Sequence, residues 1–192
     1  MDAKKIAKRT LVIVCILILS VGIGFLCQLI GDAGDRRSHP RPAEYADIVE
    51  KYSNEFGVPE YIIYSLILNQ SGFESNRVSK TGEIGLTQLS PDTFKWLTSL
   101  TKEELEPGML YDPDTNIRYG TYMLSYLYTH YNRWEAVYAA FIVGHDTVEV
   151  WLSTPSLCDD KGNLKVIPDN DADRFVRNVK NDSDKYRTLY YK

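Results

Sequence analysis

Apolar side chains recur with helical spacing from residue 45 onward. They stand at positions i, i+3, i+4, i+7 and i+11 of one segment: Tyr45, Ile48, Val49, Tyr52 and Phe56. This spacing predicts an amphipathic helix, which Gly57 ends. The next segment, 61–69, is apolar on nearly every face and follows Pro59, so we expect a buried central helix there. Gln70 then lies at the end of that helix, and Gly72 stops it.

Two further helices have clear starting signals. Ser90 before Pro91, and Asp112 before Pro113, each predict an N-cap residue with proline in the first helical turn. In the second of these helices an apolar stripe continues through the following turns at helical spacing: Ile117, Gly120, Leu124, Leu127 and Tyr131. The stripe predicts that this helix packs one face against the core.

The remaining third of the chain is also predicted to be helical. Residues 134–143 form an apolar helix that ends at Gly144, and Asp146 is expected to cap a helix over 147–153. After the polar loop 155–171, a last helix carries Phe175, Val176 and Val179. No segment shows the sustained alternation that would build a sheet, so the predicted fold class is mainly α.

The amino terminus differs from the rest of the chain. A basic group at 4–9 precedes residues 11–30, whose only strongly polar member is Gln28. Twenty helical residues span a hydrocarbon core of roughly 30 Å, which predicts an uncleaved transmembrane signal anchor; a cleaved signal peptide, the alternative, usually has a shorter apolar region. We therefore predict a cytoplasmic segment 1–10, a span 11–30, a linker 31–42 and an extracytoplasmic domain 43–192 of a single-pass protein of the cell membrane.

The composition limits which partners and which kinds of site this chain can have. With a formal net charge of −4 the chain lacks the basic surface that nucleic acid requires, so no nucleic-acid partner is expected. Two of the three cysteines, Cys15 and Cys27, lie in the apolar span, which leaves Cys158 alone and excludes a disulfide within the domain. The histidines at 39, 130 and 145 are far apart in the sequence and lack ligand spacing, so we predict no metal site and no cofactor.

Four ordered motifs carry the resemblance to a known family. They are Gln70-Ser71 with Phe73, then GLTQ over 85–88, then AAFIVG over 139–144 followed by Val148 and Trp151-Leu152, and last Phe175-Val176. In this order and spacing, residues 45–190 resemble the lysozyme-like domain of the soluble lytic transglycosylases, which cleave the glycan strands of bacterial peptidoglycan. The resemblance implies a helical lysozyme-like domain for this chain.

The resemblance also implies where the chemistry should be. In the family a Glu occupies the position of Gln70 and serves twice, first protonating the leaving oxygen and then removing the proton of the sugar's own 6-hydroxyl, which yields a 1,6-anhydro product. An amide can do neither. Two further changes are expected in the same cleft: Ile142 replaces a family Asn that would bind sugar, and Phe175 replaces a family Tyr that would place a hydroxyl beside the Glu. Ser71 and Gln88 match the family and are expected to contact substrate.

Three functions follow from this pattern. The first is a catalytically impaired domain that binds peptidoglycan glycan strands or a protein partner. The second is an active lytic transglycosylase that uses another acid, for which Glu83, in the loop before Gly85, is the candidate. The third is a structural adaptor of an envelope secretion or conjugation apparatus, with an envelope protein as its partner and the membrane contacted through the N-terminal helix.

Overall fold

The computed structural model describes residues 19–26, 31 and 34–191 of the chain. The chain divides into two compact units, 1–40 and 41–192. In the first unit, the described residues 19–26 and 34–38 are helical. The second helical segment lies within the predicted linker 31–42. The Ser38 hydroxyl donates to the carbonyl oxygens of Gly34 and Asp35, and these local hydrogen bonds support the turn.

The predicted membrane anchor falls mostly outside the described residues. The basic segment 1–10 and residues 11–18, 27–30 and 32–33 are among those not described. Within the described ranges, no helix has both the length and the apolar character needed to cross a membrane. The anchor over 11–30 therefore stays a prediction.

The first two helices of the second unit follow the sequence pattern closely. Helix α1 spans Ala43–Phe56 and ends at Gly57, whose φ of 68° is a left-handed conformation that glycine adopts without steric cost. Helix α2 spans Glu60–Gln70, and its six residues 62–67 are all buried. An all-round apolar helix of this kind belongs inside a domain. The prediction of a buried central helix is confirmed.

Side chains cap the next two helices as predicted. Helix α3 spans Pro91–Thr101, and the Ser90 hydroxyl accepts a hydrogen bond from the Thr93 backbone at 3.1 Å. Helix α4 spans Pro113–Tyr131, and the Asp112 carboxylate accepts from the Thr115 backbone at 2.9 Å. A short 3-10 helix over Pro107–Tyr111 lies between them. Each cap satisfies a backbone donor that the helix itself leaves without a partner.

The carboxyl-terminal helices complete the core. Helix α5 spans Trp134–Val143, α6 spans His145–Leu152 and α7 spans Asn170–Tyr190. The Asp169 carboxylate caps α7 by accepting from the Ala172 backbone at 2.7 Å. Helix α6 begins at His145 and not at residue 147, so the predicted cap at Asp146 is wrong. The reason is that Gly144, with φ 87°, turns the chain directly from α5 into α6.

Helix α2 is the centre of this arrangement. It packs against α7 and α1, while α4 packs against α1 and α5, and α5 packs against α6 and α7. Burying one large aliphatic side chain stabilises a fold by about 1.5–3 kcal/mol, so the buried run 62–67 fixes α2 firmly. Among the described residues, β structure is limited to isolated bridges, which agrees with the predicted mainly α fold. The carboxyl end of α2 is thus held on a rigid framework.

Candidate active site

A cleft of about 630 Å³ opens beside the carboxyl end of α2. Four of the residues singled out by the sequence, Gln70, Glu83, Gln88 and Ile142, line it together. The other lining residues come from the loop after α2, the start of α3, and α4 to α5: Arg77, Ser79, Thr81, Leu89, Ser90, Thr93, Met123, Ala140, Phe141 and Gly144. Its size is typical of a small-molecule or oligomer site.

Gln70 occupies the last helical position of α2. The preceding Asn69 fixes this helix end, because its amide donates to the Ser65 carbonyl oxygen at 2.9 Å and to the Asp182 carboxylate of α7 at 2.8 Å. Among the described residues, none donates a hydrogen bond to the Gln70 side chain or accepts one from it. Its carboxamide is therefore available to a molecule in the cleft, as a hydrogen-bonding group without a titratable proton.

The loop Gly85–Gln88, which we term the cleft loop, is held against α4 by buried polar contacts. Asn116 accepts from the Thr87 backbone at 2.8 Å and the Thr87 hydroxyl at 2.7 Å, and donates to the carbonyl oxygens of Ile84 and Leu110 at 2.9 and 2.8 Å. A Cβ at Gly85 would lie 2.0 Å from Asn116 Nδ2, and Gly85 has φ 81°. Only glycine fits this approach.

Gln88 uses its side chain to shape the cleft loop. Its Nε2 donates to the carbonyl oxygens of Gly85 at 2.7 Å and Arg77 at 3.1 Å. These bonds stabilise a left-handed backbone at Gln88, with φ 53°, that costs a non-glycine residue about 1–2 kcal/mol. Both amide hydrogens are used within the protein, so the part of Gln88 that can contact a ligand is its amide oxygen.

Glu83 is the one carboxylic acid among the described residues that line the cleft. Its Oε2 accepts hydrogen bonds from the hydroxyls of Ser79 and Thr81, the latter at 2.6 Å. Partial burial acts to raise the pKa of Glu83, but the hydrogen bonds from Ser79, Thr81 and the Glu83 backbone together outweigh it and hold the pKa below its ordinary value. At neutral pH Glu83 is thus an ionised group that can accept a proton but has none to give.

Two predicted site residues lie elsewhere than expected. Ser71 is fully buried, and its hydroxyl donates to the Ile67 carbonyl oxygen at 3.3 Å and accepts from the Phe73 backbone at 3.2 Å. Its role is to close the end of α2, which corrects the expectation that it contacts substrate. Phe175 is 8% exposed and belongs to the hydrophobic core, so it is not one of the cleft-lining residues. Its aromatic ring contributes packing and not polarity.

The exposure of Ile142 and the place of Arg77 in the cleft are set by the fold. Ile142 leaves 43% of its surface exposed in the cleft, an unusual position for a large apolar side chain. Arg77 lines the cleft while its guanidinium donates to the Ser71 carbonyl oxygen at 3.3 Å. Arg77 stands in the loop between two motifs, at a position where sequence alone gives no direction for the side chain.

Two histidines that are distant in the sequence lie together in the fold. The ring centroids of His130 and His145 are 4.6 Å apart, and His130 Nε2 is 3.0 Å from a carboxylate oxygen of Glu149. Of the three residues in this group, the sequence brings only His145 and Glu149 close together, four residues apart on α6; His130 joins them from α4. Cys158 is a free cysteine within the described residues.

Comparison with known proteins connects this geometry to a family. The sequence pattern of the transglycosylase SLT domain matches residues 47–161. The soluble lytic murein transglycosylase of Escherichia coli (strain K12) is 26% identical over 155 residues, which are 79% of this chain and 24% of the relative. The membrane-bound lytic murein transglycosylase C of Yersinia pestis (strain Pestoides F) is 32% identical over 107 residues, 54% of this chain and 29% of the relative.

Solved structures give the same result. A 70-kDa soluble lytic transglycosylase in complex with bulgecin A superposes with a TM-score of 0.72 and 26% identity, covering 79% of this chain and 25% of that one. An inactive glutamate-to-glutamine mutant of the lytic transglycosylase Slt from Pseudomonas aeruginosa superposes with a TM-score of 0.68 and 26% identity, covering 77% and 25%. The chain spans about a quarter of the length of these relatives.

Proposed function

The chain belongs to the transglycosylase SLT family, and on that premise we propose that it binds peptidoglycan glycan strands without cleaving them. Residues 11–30 anchor it in the cell membrane, and residues 43–192 face the cell wall. The observation that carries the proposal is the acid content of the cleft. Among its described lining residues the single carboxylic acid is Glu83, and hydrogen bonds hold it ionised.

Gln70 is the position where catalysis is lost. It ends the buried helix α2 and lines the cleft, which is where the family resemblance requires a Glu. The P. aeruginosa relative is described as inactive when a glutamate is replaced by glutamine, and this chain carries glutamine naturally at Gln70. General acid-base catalysis contributes typically 10² to 10⁴ in rate, and an amide supplies none of it.

The second change from the family pattern is at Ile142, and it removes a polar contact from the cleft. Ile142 presents an exposed apolar side chain to the cleft where the family resemblance implies an Asn. A hydrogen bond from such an Asn would hold the sugar in the reactive geometry, and positioning of this kind accounts for a large part of enzymatic rate enhancement. With Gln70 and Ile142 both altered, neither proton transfer nor positioning is complete.

The cleft nevertheless keeps the means to hold a glycan. Its polar lining includes Arg77, the hydroxyls of Thr93 and Ser90, and the amides of Gln70 and Gln88. Sugars are bound by such directional groups beside apolar surface, which Phe141, Met123 and Ile142 provide here. The relative in complex with bulgecin A and the murein in the names of the other relatives support a peptidoglycan ligand.

The proposal is tested by measuring binding and cleavage on the same peptidoglycan. The purified full chain is incubated with insoluble sacculi; the bound fraction is measured by sedimentation and the released 1,6-anhydro muropeptides by mass spectrometry. We expect saturable binding and no anhydro products above a heat-denatured control. Binding should weaken when Arg77 is replaced by Ala.

Two outcomes separate the alternative functions. Release of anhydro products that disappears in Glu83→Gln would overturn the proposal and assign catalysis to Glu83. Absence of binding to sacculi, in protein whose far-UV circular dichroism is native, would overturn the glycan-binding function and favour an envelope adaptor. The variant Glu83→Gln keeps an amide that can accept the hydrogen bonds of Ser79 and Thr81, so it is a mild change to the loop.

A further inference from the structure

His130, His145 and Glu149 form a compact group where the end of α4 meets the start of α6. The possible ligand atoms of the three side chains all lie within 4.8 Å of one another. His130 Nε2 is 3.0 Å from Glu149 Oε1, and the two imidazole rings are 4.6 Å apart with an interplanar angle of 78°. Ligands on one tetrahedral zinc ion are separated by about 3.3 Å, so small side-chain rotations bring these atoms to coordination distance.

Two helices place these side chains. His145 and Glu149 are four residues apart on α6, so they are neighbours on one face of that helix. His130 comes from the last turn of α4 and meets them from the other side. The His130 and Glu149 side chains are 48% and 44% exposed, so an ion can enter from solvent without rearrangement of the core.

Tyr131 fixes the orientation of His145. Its hydroxyl is 2.8 Å from His145 Nδ1 and donates to the His145 carbonyl oxygen at 3.3 Å. When the His145 ring carries its proton on Nδ1, that N–H donates to the Tyr131 hydroxyl oxygen and the lone pair of Nε2 is left for an ion. A hydrogen bond to the second ring nitrogen is typical of metal-binding histidines.

We propose that His130, His145 and Glu149 bind one Zn²⁺ ion, with water in the remaining position. Two imidazoles and one carboxylate suit zinc and similar divalent transition metals, whereas Mg²⁺ and Ca²⁺ prefer sites made of oxygen atoms. The ion links the end of α4 to the start of α6. It thereby stabilises the turn at Gly144, which lines the cleft.

The test is a zinc titration of the full chain without an affinity tag, by isothermal titration calorimetry. We expect one ion per chain, no displacement by excess Mg²⁺ or Ca²⁺, and a rise in the thermal unfolding temperature on adding zinc. His145→Gln and His130→Gln should weaken binding more than about 100-fold, and Tyr131→Phe, which removes only the orienting hydroxyl, about 10-fold. Cobalt substituted for zinc should give the visible absorption of a tetrahedral site without a thiolate charge-transfer band.

Control variants test whether the zinc ion is bound by the two histidines and Glu149 and not by a thiol. Cys158→Ser removes the one free thiol among the described residues and should leave zinc affinity unchanged. Loss of binding in Cys158→Ser, or a thiolate band in the cobalt spectrum, would overturn the proposal. So would wild-type affinity in both histidine variants, or no stoichiometric binding by the natively folded chain. Far-UV circular dichroism of each variant checks that any loss of zinc binding is not caused by unfolding.

Discussion

The cleft loop Gly85–Gln88 and the carboxyl end of α2 border the same cleft but differ in how their polar groups are used. In the cleft loop, buried groups are paired inside the protein, with Asn116 alone forming bonds to Thr87, Ile84 and Leu110. At the end of α2, Gln70 faces the cleft and carries no ionisable proton. The groups that shape the cleft loop are thus paired within the protein, whereas Gln70 presents to the cleft a side chain that does not titrate.

This difference shows that cleft shape and cleft chemistry depend on separate residues. The close approach of α4 requires glycine at Gly85, whatever happens at Gln70. Ile142 likewise changes the polarity of the cleft without altering α5, whose residues Ala136 to Phe141 remain buried. A fold of this kind can lose its reaction and keep a binding surface.

The largest expected effect comes from a methyl group in the cleft loop. In Gly85→Ala the new Cβ would lie 2.0 Å from Asn116 Nδ2 and 2.4 Å from the Leu110 carbonyl oxygen, on a backbone with φ 81°. Overpacking and left-handed strain together should lower the free energy of unfolding by roughly 4 kcal/mol. Denaturant unfolding of the full chain, followed by tryptophan fluorescence, measures this change.

Gly82→Ala is the matched control for that prediction. Gly82 also has a positive φ, 95°, but no atom lies within 4 Å of the position that a Cβ would take there. Gly82→Ala should therefore be destabilised only by the backbone strain, which lowers the free energy of unfolding by about 1–2 kcal/mol. Equal destabilisation of the two variants would show that the contact of the cleft loop with α4 contributes nothing beyond backbone conformation.

The next effect concerns the polar support of the cleft loop. Asn116→Ala leaves the Thr87 backbone amide and the carbonyl oxygens of Ile84 and Leu110 buried without their partner. Since an unsatisfied buried group costs about 1–3 kcal/mol and water can replace part of the loss, we expect a decrease of about 3 kcal/mol in unfolding free energy. A change below the error of the denaturation curve would contradict the assigned role of Asn116.

A smaller effect should appear in the pH dependence of stability through Glu83. Its folded pKa is lowered, so the hydrogen bonds from Ser79 and Thr81 stabilise the fold above the ordinary pKa of about 4.5, and this contribution is lost as pH falls through the lowered folded value. The residue is partly exposed, so the contribution should be under about 1 kcal/mol.

Unfolding curves between about pH 7 and about pH 3, which include the range in which carboxylates titrate, measure this contribution. Glu83→Gln should flatten the profile, and Thr81→Val, which removes one of the two donors, should flatten it partly. An unchanged profile in Glu83→Gln would mean that the Glu83 pKa is not lowered in the folded protein, and Glu83 would again be a candidate acid.

Much of the fold could be predicted because local signals and tertiary packing agree. Ser90 and Asp112 cap their helices as expected, and the apolar run before Gln70 forms the central helix. The start of α6 was mispredicted because the glycine turn at Gly144 replaces a side-chain cap. Residues 34–38 form a short helix that apolar spacing does not indicate, because none of the five has an apolar side chain of helical periodicity.

The site was harder to predict because it depends on the directions of side chains and on hydrogen-bond partners that are distant in the sequence. Family resemblance pointed to Gln70, Glu83, Gln88 and Ile142, which do share one cleft. The resemblance could not show that the Ser71 hydroxyl is already hydrogen-bonded to backbone groups of Ile67 and Phe73. The lowered pKa of Glu83 depends on the side chains of a loop whose conformation is set by the fold.

The central claim is that Gln70 and Ile142 together account for a cleft that binds but does not cleave. The most direct measurement is the rate of release of 1,6-anhydro muropeptides by the unaltered chain, Gln70→Glu, and Gln70→Glu combined with Ile142→Asn. We predict no release by the unaltered chain, under about a 10-fold gain over background in the single variant, and at least about 100-fold in the double variant. Release by the unaltered chain at the rate of the double variant would contradict the account.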